Sequence, residues 1–460
     1  MSVSPPPYAL RAERSCHGTL FSGSRDYVFA QATRSSSRRG GCRRRRHSRP
    51  RRRLARRHLQ NWTDGSGDFN NTDAGIGTGD DVVFGGADDV VTVTDPTTVS
   101  SLTFNAGSQY TIQGEAIALT KRTNAIESSG NNKILSDIEI SGSLGNGGTA
   151  TLKVDDGVLT INKVTWSYGL LEKTGSGTLK IDGSLNTGLS GGSLSALLVT
   201  EGTLILSGNN HSLTHVSGSF GGVSAFYCCN VSPGATLGGN GSVTYSENIA
   251  SPFNIYGNLA PGDNPGDTGT FTIAASNRLP DVIFRTGSAL CIDLVAPDNE
   301  LGDFDGTNHD IFKMTVGSYG QSMGGTWTGS TLTFEKDAII RLSGNIATGI
   351  YNIIQLEGNT GTYVVVNPDD YADTGLGNWG DNTNNWMKDL IVEVPSGYDI
   401  TYHFDTLTAA CNNNYERITC IALVIDSVSF AGGSPVPEPA SLALLSLGSG
   451  LLLLRRKHRS

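Results

Sequence analysis

Oxygen-bearing side chains crowd one short stretch of this 460-residue chain. The stretch LGDFDGTNHD covers residues 301–310 and places Asp303, Asp305, Asn308 and Asp310 within eight positions. A hard cation such as calcium binds roughly six to eight oxygen ligands on a flexible loop, and this spacing offers several. The stretch lacks the terminal glutamate of an EF-hand loop, and Asp and Asn also dominate ordinary turns. A calcium site and a plain turn therefore both fit the pattern.

Pairs of carboxylates also cleave glycosidic bonds, a reaction that needs two of them about 5–10 Å apart beside a groove. Residues 61–434 hold 40 acidic residues, so pairs arise there by chance. We find neither a Ser-His-Asp grouping nor a G-x-S-x-G segment. The histidines of this region are isolated, and we expect them at the surface or in turns: His211, His215, His309 and His403. We expect no enzymatic activity, and the alternative is a polysaccharide-active enzyme.

Two tryptophans, Trp379 and Trp386, stand among polar residues in GNWGDNTNNWMKD. Exposed aromatic rings among Asn and Asp stack on sugar faces, whereas buried rings fill the end of a strand stack. The first interpretation indicates a sugar-binding module with an extracellular polysaccharide as partner. The second is purely structural, and both stay open.

An apolar segment lies near the C-terminus, in SPVPEPASLALLSLGSGLLLLRRKHRS. The two prolines of Pro437-Glu438-Pro439 keep this motif extended, outside helices and sheet ladders. Residues 440–454 form an apolar run that spans roughly 22 Å as a helix, against a hydrocarbon core of about 30 Å. Basic residues follow at once, and positive charge stays on the cytoplasmic side of a membrane. The body of the protein is therefore expected on the exported side.

This order of motif, apolar helix and basic end resembles the PEP-CTERM sorting signal of Gram-negative bacteria. The resemblance implies that exosortase, a membrane protease, recognises the motif and removes a short C-terminal transmembrane helix. The protein would then contact the inner membrane transiently before it reaches the cell surface or the extracellular matrix. The matching residues are Val436, Pro437, Glu438 and Pro439 in the motif and Arg455, Arg456 and Lys457 in the basic end.

Short β-strands are expected to position all of these stretches. Two copies of Gly-Thr-Leu-x-(Ile/Leu)-x-Gly lie at residues 177–183 and 202–208, and related versions begin at Gly157, Gly269 and Ser330. The apolar residues of each copy alternate, as they do in a half-buried strand. A strand this short does not bury its own face and needs the next copy stacked on it. The pattern predicts a β-solenoid, while tandem β-sandwiches also fit short alternating strands.

Several segments within residues 61–360 resemble autotransporter-associated β-strand repeats. They include TVSSLTFNAGSQYTIQG, LLEKTGSGTLKIDG, VTEGTLILSG, VSPGATLGGNGSV and GNLAPGDNPGDTGTFTI. The resemblance implies an all-β fold, a right-handed β-helix or solenoid, on a structural or adhesive surface protein. We expect this body to span residues 61–220 and to continue less regularly over residues 221–434.

Charge is distributed unevenly along the chain. Residues 1–60 hold 16 arginines and 2 acidic residues, and we interpret them as a disordered leader or a mis-called start. Residues 61–434 hold 14 basic and 40 acidic residues, a net charge of −26. A body of that charge repels nucleic acid, so we expect no nucleic-acid partner.

Seven cysteines are present, and none of them forms a C-x-x-C pair or a zinc-type cluster. Cys411 and Cys420 bracket eight residues and would close a small loop in an oxidising compartment. Free or buried thiols are the alternative. The adjacent Cys228 and Cys229 do not form an ordinary bridge with each other.

Overall fold

The computed structural model describes residues 27–28, 62–64, 81–85, 90–140, 149–166, 169–187, 195–208, 211–213, 219–220, 223–224, 228–245, 252–264, 266–275, 281–304, 307–316, 330–358, 364–366, 390–410 and 416–430. Every helix or strand element in these ranges is a β-strand. The fold is therefore all-β over the described part of the chain, as predicted.

The strands of the first half are β1 (Tyr27–Val28), β2 (Trp62–Asp64), β3 (Asp81–Phe84), β4 (Val90–Val93), β5 (Thr97–Val99), β6 (Ser101–Ser108), β7 (Thr111–Gly114), β8 (Ile117–Leu119), β9 (Ile126–Gly130), β10 (Asn132–Ile140), β11 (Thr149–Asp156), β12 (Val158–Trp166), β13 (Gly169–Thr174), β14 (Thr178–Thr187), β15 (Ser195–Val199), β16 (Thr203–Leu206), β17 (His211–Leu213), β18 (Ser219–Phe220) and β19 (Val223–Ser224).

The strands of the second half are β20 (Cys229–Val231), β21 (Thr236–Gly239), β22 (Ser242–Tyr245), β23 (Phe253–Ile255), β24 (Asn258–Pro261), β25 (Thr270–Ala275), β26 (Val282–Phe284), β27 (Ala289–Leu294), β28 (Ile311–Val316), β29 (Ser330–Phe334), β30 (Ile339–Gly344), β31 (Gly349–Gly358), β32 (Val364–Val366), β33 (Ile391–Glu393), β34 (Tyr398–Ala410) and β35 (Glu416–Phe430).

Parallel hydrogen bonding joins most of these strands into three ladders. The first ladder runs β1-β3-β6-β9-β11-β13-β15-β20-β23-β26-β29-β32. The second runs β4-β7-β10-β12-β14-β16-β21-β24-β27-β30-β33. The third runs β5-β8-β10-β12-β14-β17-β22-β25-β28-β31. Three long strands, β10, β12 and β14, contribute one half to the second ladder and the other half to the third, with a register shift between β10 and β12 and between β12 and β14.

The two Gly-Thr-Leu copies are neighbours in the second ladder, where Thr178 pairs with Thr203 and Leu179 with Leu204. The prediction that one copy stacks on the next is thereby confirmed. The same register continues along the ladder as a column of inward-facing aliphatic side chains, each at most 1 % exposed. The column consists of Leu159, Leu179, Leu204, Leu237, Leu259, Leu290 and Ile340.

The glycine that opens the Gly-Thr-Leu element is needed for steric reasons. Gly202 has a φ of +62°, and a Cβ placed there would lie 2.5 Å from the carbonyl oxygens of both Gly175 and Gly177. These carbonyls belong to the preceding turn of chain, so the glycine lets two successive corners approach closely. Any larger residue at this corner would separate the strands that follow it.

Antiparallel strands flank the parallel ladders within the described residues. Near one end β2 pairs with β4, from Trp62 opposite Val93 to Asp64 opposite Val91. Near the other end β35 pairs with β31 on one side and with β34 on the other. Among the described residues, the long β34–β35 hairpin thus follows β31 at the end of the third ladder, with β34 outermost.

Candidate functional site

The predicted calcium stretch lies between β27 and β28. The carbonyl oxygen of Asp303 accepts a hydrogen bond from Asn352 Nδ2 at 3.0 Å, and that of Asn308 accepts the amide N–H of Val295 at 2.8 Å. Asp305 lies outside the described residues. Over the described ranges, no group of three or more His, Cys, Asp or Glu side chains is arranged to hold a metal ion.

The fourth predicted ligand, Asp310, is 1 % exposed. Its Oδ1 accepts the amide N–H of Gly269 at 2.8 Å, and its Oδ2 accepts that of Asp293 at 2.9 Å. Burial raises the pKa of Asp310 to about 8; the two amides lower it, and the nearby carboxylates of Asp293 and Asp267 raise it. In this arrangement Asp310 joins β27 to the start of β25 by accepting backbone N–H groups.

A buried polar cluster, formed by Asp298, His309, Asn352 and Cys420, lies beside this stretch. His309 Nε2 is 2.6 Å from Asp298 Oδ2, which also accepts Asn352 Nδ2 at 2.7 Å. Cys420 Sγ donates to Asn352 Oδ1 at 3.1 Å. The cluster therefore ties the loop after β27 to β31 and to β35.

His309 Nδ1 lies 3.0 Å from the carbonyl oxygen of Asp310, while Nε2 lies 2.6 Å from Asp298 Oδ2 and 3.2 Å from the backbone amide of Asn352. Burial raises the pKa of Asp298, but the hydrogen bonds from His309 and Asn352 bring it below the ordinary range. The second oxygen of Asp298, Oδ1, is buried and has no hydrogen-bond partner among the described residues.

The residue types in this cluster resemble a nucleophile set, but all four side chains are buried. Cys420 contacts Asn352 and not the histidine, and burial raises the pKa of its thiol to about 12. The side chains of Asp298 and His309 are each 1 % exposed, so a polymer in solvent does not reach them. The cluster instead holds together chain segments that are up to 122 positions apart, from residue 298 to residue 420.

The histidine predictions are partly wrong. His309 and His211 are both buried, and His211 Nε2 lies 2.9 Å from the carbonyl oxygen of Ser207. Hydrogen bonding to backbone and carboxylate acceptors is what makes their burial tolerable. His403 is exposed as predicted, with Nδ1 2.9 Å from Asp426 Oδ2, and His215 lies outside the described residues.

The disulfide considered for Cys420 is also wrong, because Cys420 is a free thiol. The hairpin register places Cys420 opposite Leu407, four residues before Cys411, and its sulfur points at Asn352. Cys411 itself lies outside the described residues. Cys228 and Cys229 are both free and buried, which agrees with the expectation that they do not bridge.

A lysine lies inside the core of the first ladder. Lys173 is 1 % exposed and occupies the inward column between Leu152 and Val199. Its Nζ donates to the carbonyl oxygens of Gly175 at 2.6 Å, Thr174 at 2.9 Å and Glu201 at 3.1 Å. The ammonium thus satisfies three carbonyl groups of two successive corners with its three donors.

The burial of Lys173 predicts a pH-dependent stability. Burial lowers its pKa to about 8, whereas the pKa of a lysine in the unfolded chain is about 10.4. Between these values the unfolded chain binds the extra proton, so the free energy of unfolding rises with pH. This contribution is complete above the unfolded pKa and is lost as pH falls through about 8.

The measurement is urea unfolding of the wild type and of Lys173→Met between about pH 7.5 and 10.5. We expect the stability difference between them to shift in favour of the wild type by about 3 kcal/mol across this window. Lys133→Met, at an exposed position of β10, is the control. If the free energies of unfolding of the wild type and of Lys173→Met changed with pH in parallel, the lowered pKa of Lys173 would be contradicted.

A second set of contacts between distant residues involves Asp263, which precedes a turn. In this turn the amide of Asp267 donates to the carbonyl oxygen of Asn264 at 3.0 Å. Asp263 itself reaches back along the second ladder and accepts from three residues. These are Ser207 Oγ at 2.7 Å, the Asn240 amide at 3.0 Å and Lys180 Nζ at 3.1 Å.

We name this contact the Asp263 clasp. Burial raises the pKa of Asp263, but the hydrogen bonds from Ser207, Lys180 and the Asn240 amide together lower it below the ordinary range. Its partners stand on or just after β14, β16 and β21, and Asp263 follows β24, so the clasp spans four successive strands of the ladder.

The remaining predicted sites lie outside the described residues: the sorting motif at Val436, Pro437, Glu438 and Pro439, the basic cluster at Arg455, Arg456 and Lys457, and the tryptophans Trp379 and Trp386. Within the described ranges, no helix is long and apolar enough to cross a bilayer.

Comparison with known proteins bears on the C-terminal segment. Residues 435–457 match the family model of the PEP-CTERM protein-sorting motif. None of the curated proteins with which the chain was compared matches it. The predicted sorting signal is thus confirmed. It implies that the protein is exported, that its C-terminal signal is anchored in the membrane at first, and that exosortase then processes this signal.

Proposed function

We propose that this chain is an exported, non-enzymatic β-solenoid protein of the cell surface or extracellular matrix, which exosortase separates from its membrane anchor. The observation that carries the proposal is the sorting motif at residues 435–457, which follows a body of parallel strand ladders. The motif supports export, and the ladders support a structural or adhesive role. An extracellular polysaccharide is the partner class that we propose.

Strand pairing supports the solenoid. Each strand bonds to a strand about one coil away, as in Thr178 with Thr203 and Thr203 with Thr236, and the pairing is parallel in all three ladders. β-Sandwiches are built from antiparallel sheets, whereas parallel ladders of short strands suit a right-handed β-helix. The Gly-Thr-Leu stacking also supports the resemblance to autotransporter-associated β-strand repeats.

The outer surface supports a role that does not involve catalysis. Several of its lysines pair with acidic residues on neighbouring strands, as in Lys153 with Glu127 at 2.8 Å and Lys313 with Glu357 at 2.7 Å. Each such pair contributes only about 0–1 kcal/mol to the free energy of unfolding. Their main effect is therefore to align neighbouring coils, and their effect on stability is small. The clustered groups that resemble a catalytic set, around His309, are buried beneath this surface.

Mass spectrometry of the protein recovered from its host tests the proposal. We expect surface material that lacks the peptide ending at Ser460 and a cell-bound precursor that retains it. A Pro437→Ala, Pro439→Ala variant should accumulate as the precursor, while Pro395→Ala, on the body, should be processed normally. Mature surface protein that still ends at Ser460 would contradict exosortase processing, and glycan turnover by the purified protein would contradict the non-enzymatic role.

A further inference from the structure

The β34–β35 hairpin carries an apolar face that the core covers incompletely. Tyr398, Ile400, Phe404 and Val428 lie on this face and pack partly buried against the core. Because successive side chains of a strand alternate, Tyr402 lies on the same face of β34 as Tyr398 and Phe404. The face therefore continues past the point where the core ends.

Two aromatic side chains on this face are exposed, Phe430 by 42 % and Tyr402 by 37 %. The Phe430 ring contacts the Tyr398 ring edge-on at 5.5 Å between centroids, and the Tyr402 ring contacts Phe404 at 6.0 Å. Gly397, with a φ of +93°, leaves room for the Phe430 ring. We name Tyr398, Tyr402 and Phe430 the aromatic overhang.

The sequence limits how far the overhang lies from the sorting motif. Phe430 is the last residue of β35, and the matched sorting segment begins at residue 435. A fully extended residue spans at most about 3.6 Å, so the eight steps from Phe430 to Glu438 reach at most about 29 Å. An enzyme that holds the motif is therefore within reach of the overhang.

Charge indicates what kind of surface covers the overhang. Asp399 and Asp405 on β34 are exposed, and Asp426 on β35 pairs with His403. The body as a whole carries a net charge of −26 over residues 61–434. Anionic lipid headgroups are repelled by such a surface, whereas an apolar protein surface is not.

We propose that the aromatic overhang docks on the sorting protease while that enzyme holds the motif, so that the folded body helps to present its own tail for cleavage. This inference rests on the proposed function, because it needs the enzyme that processes the tail. The overhang acts as a second contact point, linked to the motif by a short tether, and a short tether gives a high effective concentration.

The test is a pulse-chase measurement of tail removal in host cells, with the full-length chain. Tyr402→Ser combined with Phe430→Ser is expected to slow tail removal about fivefold, the loss of roughly 1 kcal/mol of docking energy. The matched control is Leu135→Ser with Val158→Ser, which removes two exposed apolar side chains on β10 and β12. The control should be processed at the wild-type rate.

A second variant leaves the body unchanged and so excludes misfolding. A flexible insertion of about twelve Gly and Ser residues after Gly433 should also slow tail removal, since effective concentration falls as a tether lengthens. Equal rates for the serine pair and the wild type would overturn the inference. So would slow processing of the serine pair accompanied by loss of binding to phosphatidylethanolamine–phosphatidylglycerol vesicles, which would assign the overhang to the bilayer. A wild type that is never processed would instead reject the proposed function.

Discussion

Replacing Asn352 by alanine is expected to lower the free energy of unfolding by about 3–5 kcal/mol. Asn352 is fully buried and makes five side-chain hydrogen bonds in the buried polar cluster. Its removal leaves each partner without that bond; the bonds to Asp298 and Cys420 are fully buried, and the other three are partly buried. The partners are Asp298 Oδ2, the carbonyl oxygens of Glu300 and Asp303, the amide of Gly302 and the thiol of Cys420.

Urea unfolding measures the loss, and hydrogen exchange locates it. Asn345→Ala is the matched control, because Asn345 is exposed and its side chain makes a bond to the carbonyl oxygen of Val295 at 3.2 Å. We expect the control to cost less than about 0.5 kcal/mol. In the Asn352 variant, faster exchange should be confined to residues 298–310, β31 and β35. A loss below about 1 kcal/mol would show that the cluster does not hold these segments.

Gly202→Ala is expected to destabilise the body by about 3 kcal/mol or more. The added methyl group meets two backbone carbonyl oxygens at 2.5 Å, and a residue with a Cβ is also strained at a φ of +62°. Neither carbonyl belongs to a flexible side chain, so the two corners must separate and weaken the bonds between β14 and β16. The unfolding midpoint in urea reports the effect.

Gly234→Ala separates backbone strain from the close contact. Gly234 has a φ of +80°, but nothing lies within 4 Å of a Cβ placed there. It should therefore cost only about 1 kcal/mol, the strain alone. Equal losses at both glycines would mean that the contact between corners contributes nothing.

The repeated element could be predicted from sequence because its information is local. Alternation at Leu179 and Ile181, and again at Leu204 and Leu206, assigns a buried face, and all four side chains are at most 1 % exposed. The glycine that opens each copy indicates a corner. The copies predicted to begin at Gly157, Gly269 and Ser330 coincide, to within one residue, with the starts of β12, β25 and β29.

Lys173 shows why the rest could not be predicted. Its neighbours in sequence alternate correctly for an inward position, but a lysine in such a pattern is ordinarily assigned to solvent. Only the next corner, at Glu201, supplies the third carbonyl oxygen that makes burial tolerable. His309 is a similar case, since its partner Asp298 is 11 residues away and Asn352 is 43 away. The alternation of apolar and polar residues within one strand gives no information about hydrogen bonds to residues this far away in the sequence.

The Asp263 clasp bears on how the protein responds to force. A pull on the C-terminal end of a stacked chain acts on one turn at a time, because each strand bonds only to its neighbours. Through Lys180 and Asp263, which are 83 positions apart, the clasp joins four strands whose bonds would otherwise break in succession. Unravelling from the C-terminal side should therefore pause at the clasp, and the strands before it should stay folded under a force that has already opened the strands after it.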